Sequence, residues 1–264
     1  MNLHPKKSHS QNFLINKGII QKIIDAGELS NKDIILEIGP GKGALTEVLI
    51  GNVGKVIAVE KDKELYNFLL DRFANIKNLE LLNQDILKLD VKKYIKVKNY
   101  KLIANIPYNI TGKIFRKFLL SEESPSMIIV MVQHEVGERL LGKNKSILSL
   151  MVELYGSVER VCKVSAGSFF PIPKVDSAVI KLTKGQKYKN ELQILELIKI
   201  GFSQRRKKLI SNLFKKVKDI STGEEVDKNS MEKLFKSMGL KADIRAEQLL
   251  LVDWLKLAEG MVKK

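Results

Sequence analysis

Short apolar runs alternate with amphipathic stretches of helix length over the first 184 residues. The apolar runs have the length and β-branched composition of buried strands, whereas the stretches between them repeat their apolar positions every three to four residues. The predicted strands are residues 34–38, 55–59, 79–83, 101–105 and 126–132, and the predicted helices are residues 44–50, 63–73, 111–120 and 133–141. This alternation indicates an α/β fold with a parallel sheet covered by helices.

Two further β-like runs, residues 158–164 and 177–182, follow in succession without a helix between them. A turn that contains proline separates them. We therefore expect an antiparallel pair at the edge of the sheet, which brings the sheet to about seven strands.

The pattern changes after residue 184, where a polar, basic connector precedes apolar residues that recur at helical spacing only. We place a domain boundary there. Residues 1–184 are predicted to form the larger domain, with an N-terminal arm over residues 1–16, and residues 185–264 are predicted to form a small all-helical domain.

The chain carries a formal net charge of +16, which favours polyanionic partners such as nucleic acid. Positive charge is denser in the tail, where residues 185–264 hold 18 basic and 11 acidic side chains, a net charge of +7 over 80 residues. The sharpest basic cluster is Arg205, Arg206, Lys207 and Lys208. Because a solvated helix face has the same composition, the charge alone leaves nucleic-acid binding open.

Composition excludes several classes of protein. Hydrophobic residues make up 44% and charged residues 29%, values typical of a globular protein rather than of a disordered or collagen-like chain. The longest apolar stretch in the middle of the chain, residues 127–132, is too short to cross a bilayer. One cysteine, Cys162, and three histidines predict neither a disulfide nor a metal site. The start of the chain does not resemble a signal peptide, so we expect a cytoplasmic protein.

The first predicted strand runs directly into a glycine-rich turn, Gly39-Pro40-Gly41-Lys42-Gly43, and then into a helix. Glycines allow a sharp bend and let a ligand approach the backbone without a Cβ in the way. The turn predicts a nucleotide-type site, with Gly39 and Gly41 as contacts. It does not distinguish between nucleotides, because Gly39, Gly41 and Ala44 also satisfy the dinucleotide pattern.

Two acidic residues follow the next two predicted strands. Glu60 can accept hydrogen bonds from both hydroxyls of a ribose, and Asp85 can accept one from the exocyclic amine of an adenine. Either residue alone is typical of a solvated loop. Together, at the carboxyl ends of successive strands, they line the crevice where such sheets bind ligands.

The fourth predicted strand ends in Asn105-Ile106-Pro107-Tyr108, which combines an amide, a carbonyl directed by a proline and an aromatic ring. The Asn105 oxygen and the Ile106 carbonyl can accept the two hydrogens of an aromatic amine, while Tyr108 stacks on the base. Two acceptors localise the nitrogen lone pair for attack on an electrophilic methyl group. The rate is then expected to come from alignment and a preorganised polar site, without a strong base.

These segments together resemble the S-adenosylmethionine-dependent ribosomal RNA adenine dimethyltransferases. The resemblance extends to Ser10-Gln11-Asn12-Phe13-Leu14, to residues 169–177 (Phe-Phe-Pro-Ile-Pro-Lys-Val-Asp-Ser) and to residues 202–207 (Phe-Ser-Gln-Arg-Arg-Lys). It covers nearly the whole chain. Within the family, the sequence of these segments is most similar to that of the small-subunit, KsgA type.

The resemblance implies a Rossmann-like, seven-stranded class I methyltransferase sheet that dimethylates two adjacent adenines near the 3′ end of 16S rRNA within a 30S precursor. It implies S-adenosylmethionine as cofactor, S-adenosylhomocysteine as product, and neither a metal nor an obligate protein partner. Cofactor contacts would also come from Asn12, Leu14 and Asn105. Contacts to the RNA would come from Tyr108, Phe169, Phe170, Arg205, Arg206 and Lys207, although core packing is expected for at least one of the two phenylalanines. Residues 1–184 would then form the S-adenosylmethionine-binding catalytic domain and residues 185–264 a basic, RNA-binding domain.

Three alternatives stay open at the level of the sequence. The first is a large-subunit (23S) rRNA adenine methylase of the macrolide-resistance type. The second is a nicotinamide-dependent oxidoreductase with the same glycine turn, which has no use for Asn-Ile-Pro-Tyr. The third is a binding protein, an assembly factor or transcription cofactor that keeps the fold while catalysis is dispensable.

Overall fold

The structure is a computed structural model that describes residues 12–97, 99–106, 108–142, 144–186, 188–214 and 228–261. Some predictions fall outside these residues. They are the role of Pro107 in the amine clamp and the first eleven residues of the predicted arm, which include Ser10, Gln11, His4 and His9.

Seven of the described strands form one sheet in the order β4-β3-β2-β5-β6-β9-β7, and two short strands, β1 and β8, form a separate pair. The strands are β1 (Phe13–Leu14), β2 (Ile34–Ile38), β3 (Lys55–Glu60), β4 (Leu79–Asn83), β5 (Lys101–Asn105), β6 (Met127–Gln133), β7 (Gly156–Val164), β8 (Phe169–Phe170) and β9 (Ser177–Lys184).

The strands from β4 to β6 are parallel, and β9 runs antiparallel to β6. In β2, β3 and β6 nearly every residue is buried. Because successive side chains point to opposite faces, this pattern means that both faces of the central sheet are covered. The carboxyl ends of β2, β3, β4 and β5 therefore meet at one edge, where the loops that follow them converge.

Helices connect and cover these strands. They are α1 (Lys17–Gly27), α2 (Ala44–Ile50), α3 (Lys63–Arg72), α4 (Thr111–Leu119), α5 (His134–Leu141), α6 (Ile147–Tyr155), α7 (Glu191–Gly201), α8 (Leu209–Leu213), α9 (Lys228–Ser237) and α10 (Leu251–Gly260).

The predicted strands and helices of the sheet region are present, and most bounds agree to within two residues. Helices α1 and α6 and strands β1 and β8 were not predicted. The short strands β1 and β8 carry too few residues for a periodic pattern to appear. Helix α6 is apolar at most positions and six of its nine residues are buried, so it lacks the one-sided pattern of an amphipathic helix.

The chain divides into two compact units, residues 1–138 with 157–184, and residues 139–156 with 185–264. The core of the first unit joins apolar residues of α1, α2 and the central strands to Val164, Phe169 and Val179. In the second unit Trp254 is fully buried and stacks with Phe202, with ring centroids 6.1 Å apart.

Residues 139–156 group with the second unit, whereas the sequence placed them in the larger domain. The physical reason is α6, whose apolar residues pack against α7 and α10. The division of labour between a catalytic and an RNA-binding domain stays a prediction. Among the described residues, no helix is long and apolar enough to traverse a bilayer.

Candidate active site

One pocket opens at the edge where the parallel strands end, and it brings together most of the residues that the sequence singled out. The predicted residues that line it are Asn12, Leu14, Gly39, Gly41, Glu60, Asp85, Asn105, Ile106 and Tyr108. They come from five separate segments of the chain. The topology, rather than closeness in sequence, therefore creates this site.

The glycine-rich turn forms one wall of the pocket. Gly39, Gly41 and Gly43 all have positive φ, at 68°, 60° and 81°, a region that side chains with a Cβ rarely adopt. A Cβ on Gly41 would lie 2.9 Å from Cδ1 of Phe13. Glycine is thus required at Gly41 for two reasons, the backbone conformation and the close approach of Phe13.

Glu60 ends β3 and is held by the turn opposite. Its Oε2 accepts a hydrogen bond from the Gly41 amide at 3.2 Å, and its Oε1 accepts one from the Asp62 amide at 2.9 Å. Burial raises the pKa of Glu60, and the two amide donors oppose that shift. Each carboxylate oxygen retains a lone pair, so the fixed carboxylate can accept further hydrogen bonds from a ligand.

Asp85 follows β4 and is more exposed than Glu60. Its Oδ2 lies 2.9 Å from Nζ of Lys61, and its Oδ1 accepts a hydrogen bond from the Leu87 amide at 3.0 Å. The Lys61 ammonium lowers the pKa of Asp85. Asp85 therefore presents an ionised acceptor at the rim of the pocket.

The Asn105 side chain is oriented by the start of the described chain. Its Nδ2 donates a hydrogen bond to the Asn12 carbonyl at 3.3 Å, and both residues line the pocket. Because the amide nitrogen is directed to Asn12, Oδ1 is the acceptor end that is presented to a ligand. The acceptor role of Asn105 toward a target amine stays a prediction.

Three contacts hold the segment that carries Asn12. Strands β1 and β8 pair with Phe13 opposite Phe170, the Ile15 amide donates to the Ser168 carbonyl at 2.9 Å, and Nδ2 of Asn16 donates to the Ser168 hydroxyl at 3.2 Å. The segment is thereby fixed across the pocket beside the glycine turn. Among its contacts with that turn, Nζ of Lys42 lies 5.2 Å from the centroid of the Phe13 ring.

Tyr108 lies in a short 3₁₀ turn after β5, and its ring is half-buried at the pocket. Its hydroxyl is 2.6 Å from the Ser177 hydroxyl, and its carbonyl accepts a hydrogen bond from Oγ1 of Thr111 at 3.1 Å. Burial raises the pKa of Tyr108, so it is a neutral phenol. The ring is therefore held from both ends.

Of the two phenylalanines expected near the RNA, Phe169 is the one that packs into the core in this structure. Phe169 is 1% exposed and belongs to the core of the first unit, whereas its neighbour Phe170 is 56% exposed. Adjacent residues of a strand point to opposite sides, so only one of the two rings can face solvent. A role for Phe170 in holding a base stays a prediction.

Arg205, Arg206 and Lys207 are exposed, and they lie in the turns between α7 and α8 rather than on the helix that the sequence suggested. Their phosphate-binding role also stays a prediction.

Glu37 is a pocket residue that the sequence analysis missed. It lies inside β2, is 1% exposed, and its Oε2 has no hydrogen-bond partner among the described residues. Burial raises the pKa of Glu37 to about 8, and the negative charge of Glu60 adds to the shift. The signal was an acidic residue at the centre of an otherwise apolar strand, because burying an ionisable side chain is costly and is rare outside functional sites.

No group of three or more His, Cys, Asp or Glu side chains that could hold a metal ion occurs in the part of the chain that the structure describes.

Comparison with known proteins gives concordant matches. Residues 2–257 match the family described as ribosomal RNA adenine dimethylase. A ribosomal RNA small subunit methyltransferase A from Fusobacterium nucleatum is 37% identical over 98% of this chain and 100% of its own length. A protein of the same name from Mycoplasmopsis pulmonis is 45% identical over 80% of this chain and 84% of its own length.

Two solved structures are similar over nearly the whole chain. A dimethyladenosine transferase from Plasmodium falciparum is 28% identical with a TM-score of 0.79, covering 93% of this chain and 95% of that one. The 23S rRNA methyltransferase ErmE is 25% identical with a TM-score of 0.75, covering 95% of this chain and 99% of that one.

The buried carboxyl of Glu37 predicts a pH-dependent stability. Below pH 4.5 this carboxyl is protonated in both the folded and the unfolded chain. Between pH 4.5 and about 8 only the unfolded chain releases the proton, so the free energy of unfolding falls as the pH rises. Above about pH 8 the folded chain also releases the proton, and the free energy of unfolding falls no further. Glu37→Gln removes this titration. We expect the variant to gain stability relative to the wild type between pH 5 and 8, by on the order of a few kcal/mol.

Thermal unfolding of both proteins across this pH range measures the difference. Glu122→Gln, at a side chain that is 89% exposed, is the matched control and should follow the wild type. Wild-type and Glu37→Gln curves that stay parallel from pH 5 to 8 would contradict the assignment.

Proposed function

The chain belongs to the ribosomal RNA adenine dimethylase family, and we propose that it dimethylates the exocyclic amines of two adjacent adenines in the 3′-terminal hairpin of 16S rRNA within a 30S precursor. It is an rRNA adenine dimethyltransferase with the α/β fold of class I methyltransferases and a helical second unit. The observation that carries the proposed mechanism is the oriented Asn105 amide at the pocket, with Tyr108 beside it.

We propose S-adenosylmethionine as the cofactor, which supplies the sulfonium methyl group that is transferred. The residues present fit it. Glu60 offers fixed acceptors for ribose hydroxyls, and Asp85 offers an ionised acceptor for an adenine amine. The buried carboxyl of Glu37, whose Oε2 has no hydrogen-bond partner among the described residues, adds a polar group to the same pocket.

The proposed roles in catalysis follow from the direction of each group. Oδ1 of Asn105 and the Ile106 carbonyl accept hydrogens from the target amine, which localises its lone pair on nitrogen. Tyr108 stacks on the adenine. The Asn12 segment covers the pocket beside Asn105 and holds its amide in the accepting orientation. Alignment and preorganised polarity then supply the rate, and no strong base is needed.

The small-subunit substrate is favoured over the 23S alternative by sequence. The two relatives named for the small subunit are more similar in sequence to this chain than the 23S enzyme is. The proposed RNA contacts are the exposed ring of Phe170 and the cluster Arg205, Arg206 and Lys207, which bind a polyanion through phosphate contacts. We place the activity in the cytoplasm, where ribosomal precursors would be its substrate.

The experiment that tests the substrate is mass mapping of methylated adenines in RNA from cells with and without this protein. We expect four methyl groups on two neighbouring adenines of 16S rRNA to depend on it. Methylation in vitro of naked 23S rRNA, with none of 30S precursor particles, would overturn the choice of substrate.

Asn105→Ala removes the acceptor that faces the target amine. We expect the methylation rate to fall by roughly 10²–10³-fold, the usual cost of losing one preorganised hydrogen-bonding group at a reacting centre, with RNA affinity unchanged. Single-turnover methylation and RNA titration measure the two quantities.

Asn78→Ala is the matched control. Asn78 also donates its amide to main-chain carbonyls, those of Ile50 and Val53, but it lies at the amino end of β4 and does not line the pocket. It should leave the single-turnover rate unchanged. An Asn105→Ala enzyme that methylates at the wild-type rate would refute the clamp.

Replacing Arg205, Arg206 and Lys207 together with alanine should weaken RNA binding and flatten its salt dependence. If all three contact phosphates, the magnitude of the negative slope of log K against log salt should fall by about 2, with cofactor affinity unchanged. RNA titrations at several salt concentrations measure this slope.

Lys233, Lys236 and Lys241, which are exposed in the same unit, provide a control triple variant of equal charge. It should change the slope less. Equal changes for both triples would mean that net charge, rather than the Arg205 cluster, determines binding.

A further inference from the structure

Ser177 is a fully buried polar residue that contacts the candidate site from outside it. It begins β9, opposite Gln133 at the end of β6, and is 0% exposed. Its hydroxyl lies 2.6 Å from the Tyr108 hydroxyl, a short hydrogen bond in which either group can donate. Because a buried hydroxyl without a partner is costly, this bond strongly favours one position of the Tyr108 ring.

The other end of Tyr108 is held independently. Its carbonyl accepts from Oγ1 of Thr111, a residue that is 4% exposed and begins α4. With the main chain fixed on one side and the hydroxyl on the other, the tilt of the ring is determined by two bonds at opposite ends. A phenylalanine at this position would keep the ring and lose one of the two.

Ser177 is itself fixed through the segment that precedes it. Oδ1 of Asp176 accepts from the Ala166 amide at 2.9 Å, and the Asp176 carbonyl accepts from the His134 amide at 2.9 Å. These bonds do not involve Tyr108. The serine hydroxyl is therefore an anchor whose position the sheet and the start of α5 determine.

We propose that Ser177 is a positioning residue for methyl transfer: it holds the Tyr108 ring at the angle at which a target adenine stacks with its amine at Asn105. This inference rests on the proposed function. Stacking needs only an aromatic ring, so the hydroxyl bond is not required to bind a base. It is required to keep the ring at the angle that places the target amine at Asn105, because small misplacements of a reacting group reduce rates strongly.

A double-mutant cycle tests the proposal. Ser177→Ala and Tyr108→Phe each remove the same hydrogen bond, and the double variant removes nothing more. We expect each single variant to lower the single-turnover methylation rate by roughly 10-fold. The double variant should be no slower than either, and cofactor affinity should be unchanged in all three.

A fluorescent readout separates positioning from folding. With 2-aminopurine in place of a target adenine, Ser177→Ala and Tyr108→Phe should change the emission of the enzyme–RNA complex in the same direction and to the same extent. Ser126→Ala is the matched control, since the Ser126 hydroxyl bonds to the Tyr100 carbonyl away from the pocket. It should affect neither rate nor emission.

Three results would overturn the proposal. They are a wild-type single-turnover rate for Ser177→Ala, losses that multiply in the double variant, or a change confined to thermal stability. Failure of the proposed function gives a different result, because the wild type would then not methylate 16S rRNA. The same cycle on whichever adenine the wild type does methylate then tests Ser177 separately, and a wild type that methylates no adenine refutes both.

Discussion

The hydrogen bond from Nδ2 of Asn105 to the Asn12 carbonyl determines which end of the amide faces the pocket, and several features of the structure serve it. Asn12 can reach Asn105 only because β1 pairs with β8 and because Ser168 holds Ile15. That pairing places the Phe13 ring against the glycine turn, where a Cβ on Gly41 would lie 2.9 Å from it. Gly41, in the turn after β2, thus leaves room for the Phe13 ring of the segment that orients the Asn105 amide at the end of β5.

Charge is distributed with opposite sign in the pocket and over the chain. The whole protein has a formal charge of +16, yet Glu60, Asp62 and Asp85 line the pocket against two lysines, and burial keeps the fourth carboxyl, Glu37, protonated near neutral pH. A sulfonium cofactor with an ammonium group is cationic, whereas RNA is a polyanion. An acidic pocket in a basic protein suits both ligands, because each meets the opposite charge where it binds.

The sequence predicted the sheet well because its signal is local. Strands such as β3 and β5 contain short continuous apolar runs that end in a polar residue, and the ends of the predicted strands located Glu60, Asp85 and Asn105. Pairs that depend on tertiary contacts were not predictable, such as Asn105 with Asn12 and Tyr108 with Ser177, which are 93 and 69 residues apart. Which of Phe169 and Phe170 is buried was not predictable, because a two-residue strand is too short to show the alternation that assigns one ring to each face.

The segment from Ser165 to Ser177 connects these separate features. Ser168 holds the chain beside Asn12, Phe169 enters the core, Asp176 is bonded to the start of α5, and Ser177 bonds to Tyr108. The two sides of the base clamp, the amide and the ring, are therefore anchored to one connection between β7 and β9. Because that connection leads into β9, which pairs antiparallel with β6 and lies between β6 and the edge strand β7, the strand that departs from the parallel order also carries the hydroxyl that contacts Tyr108.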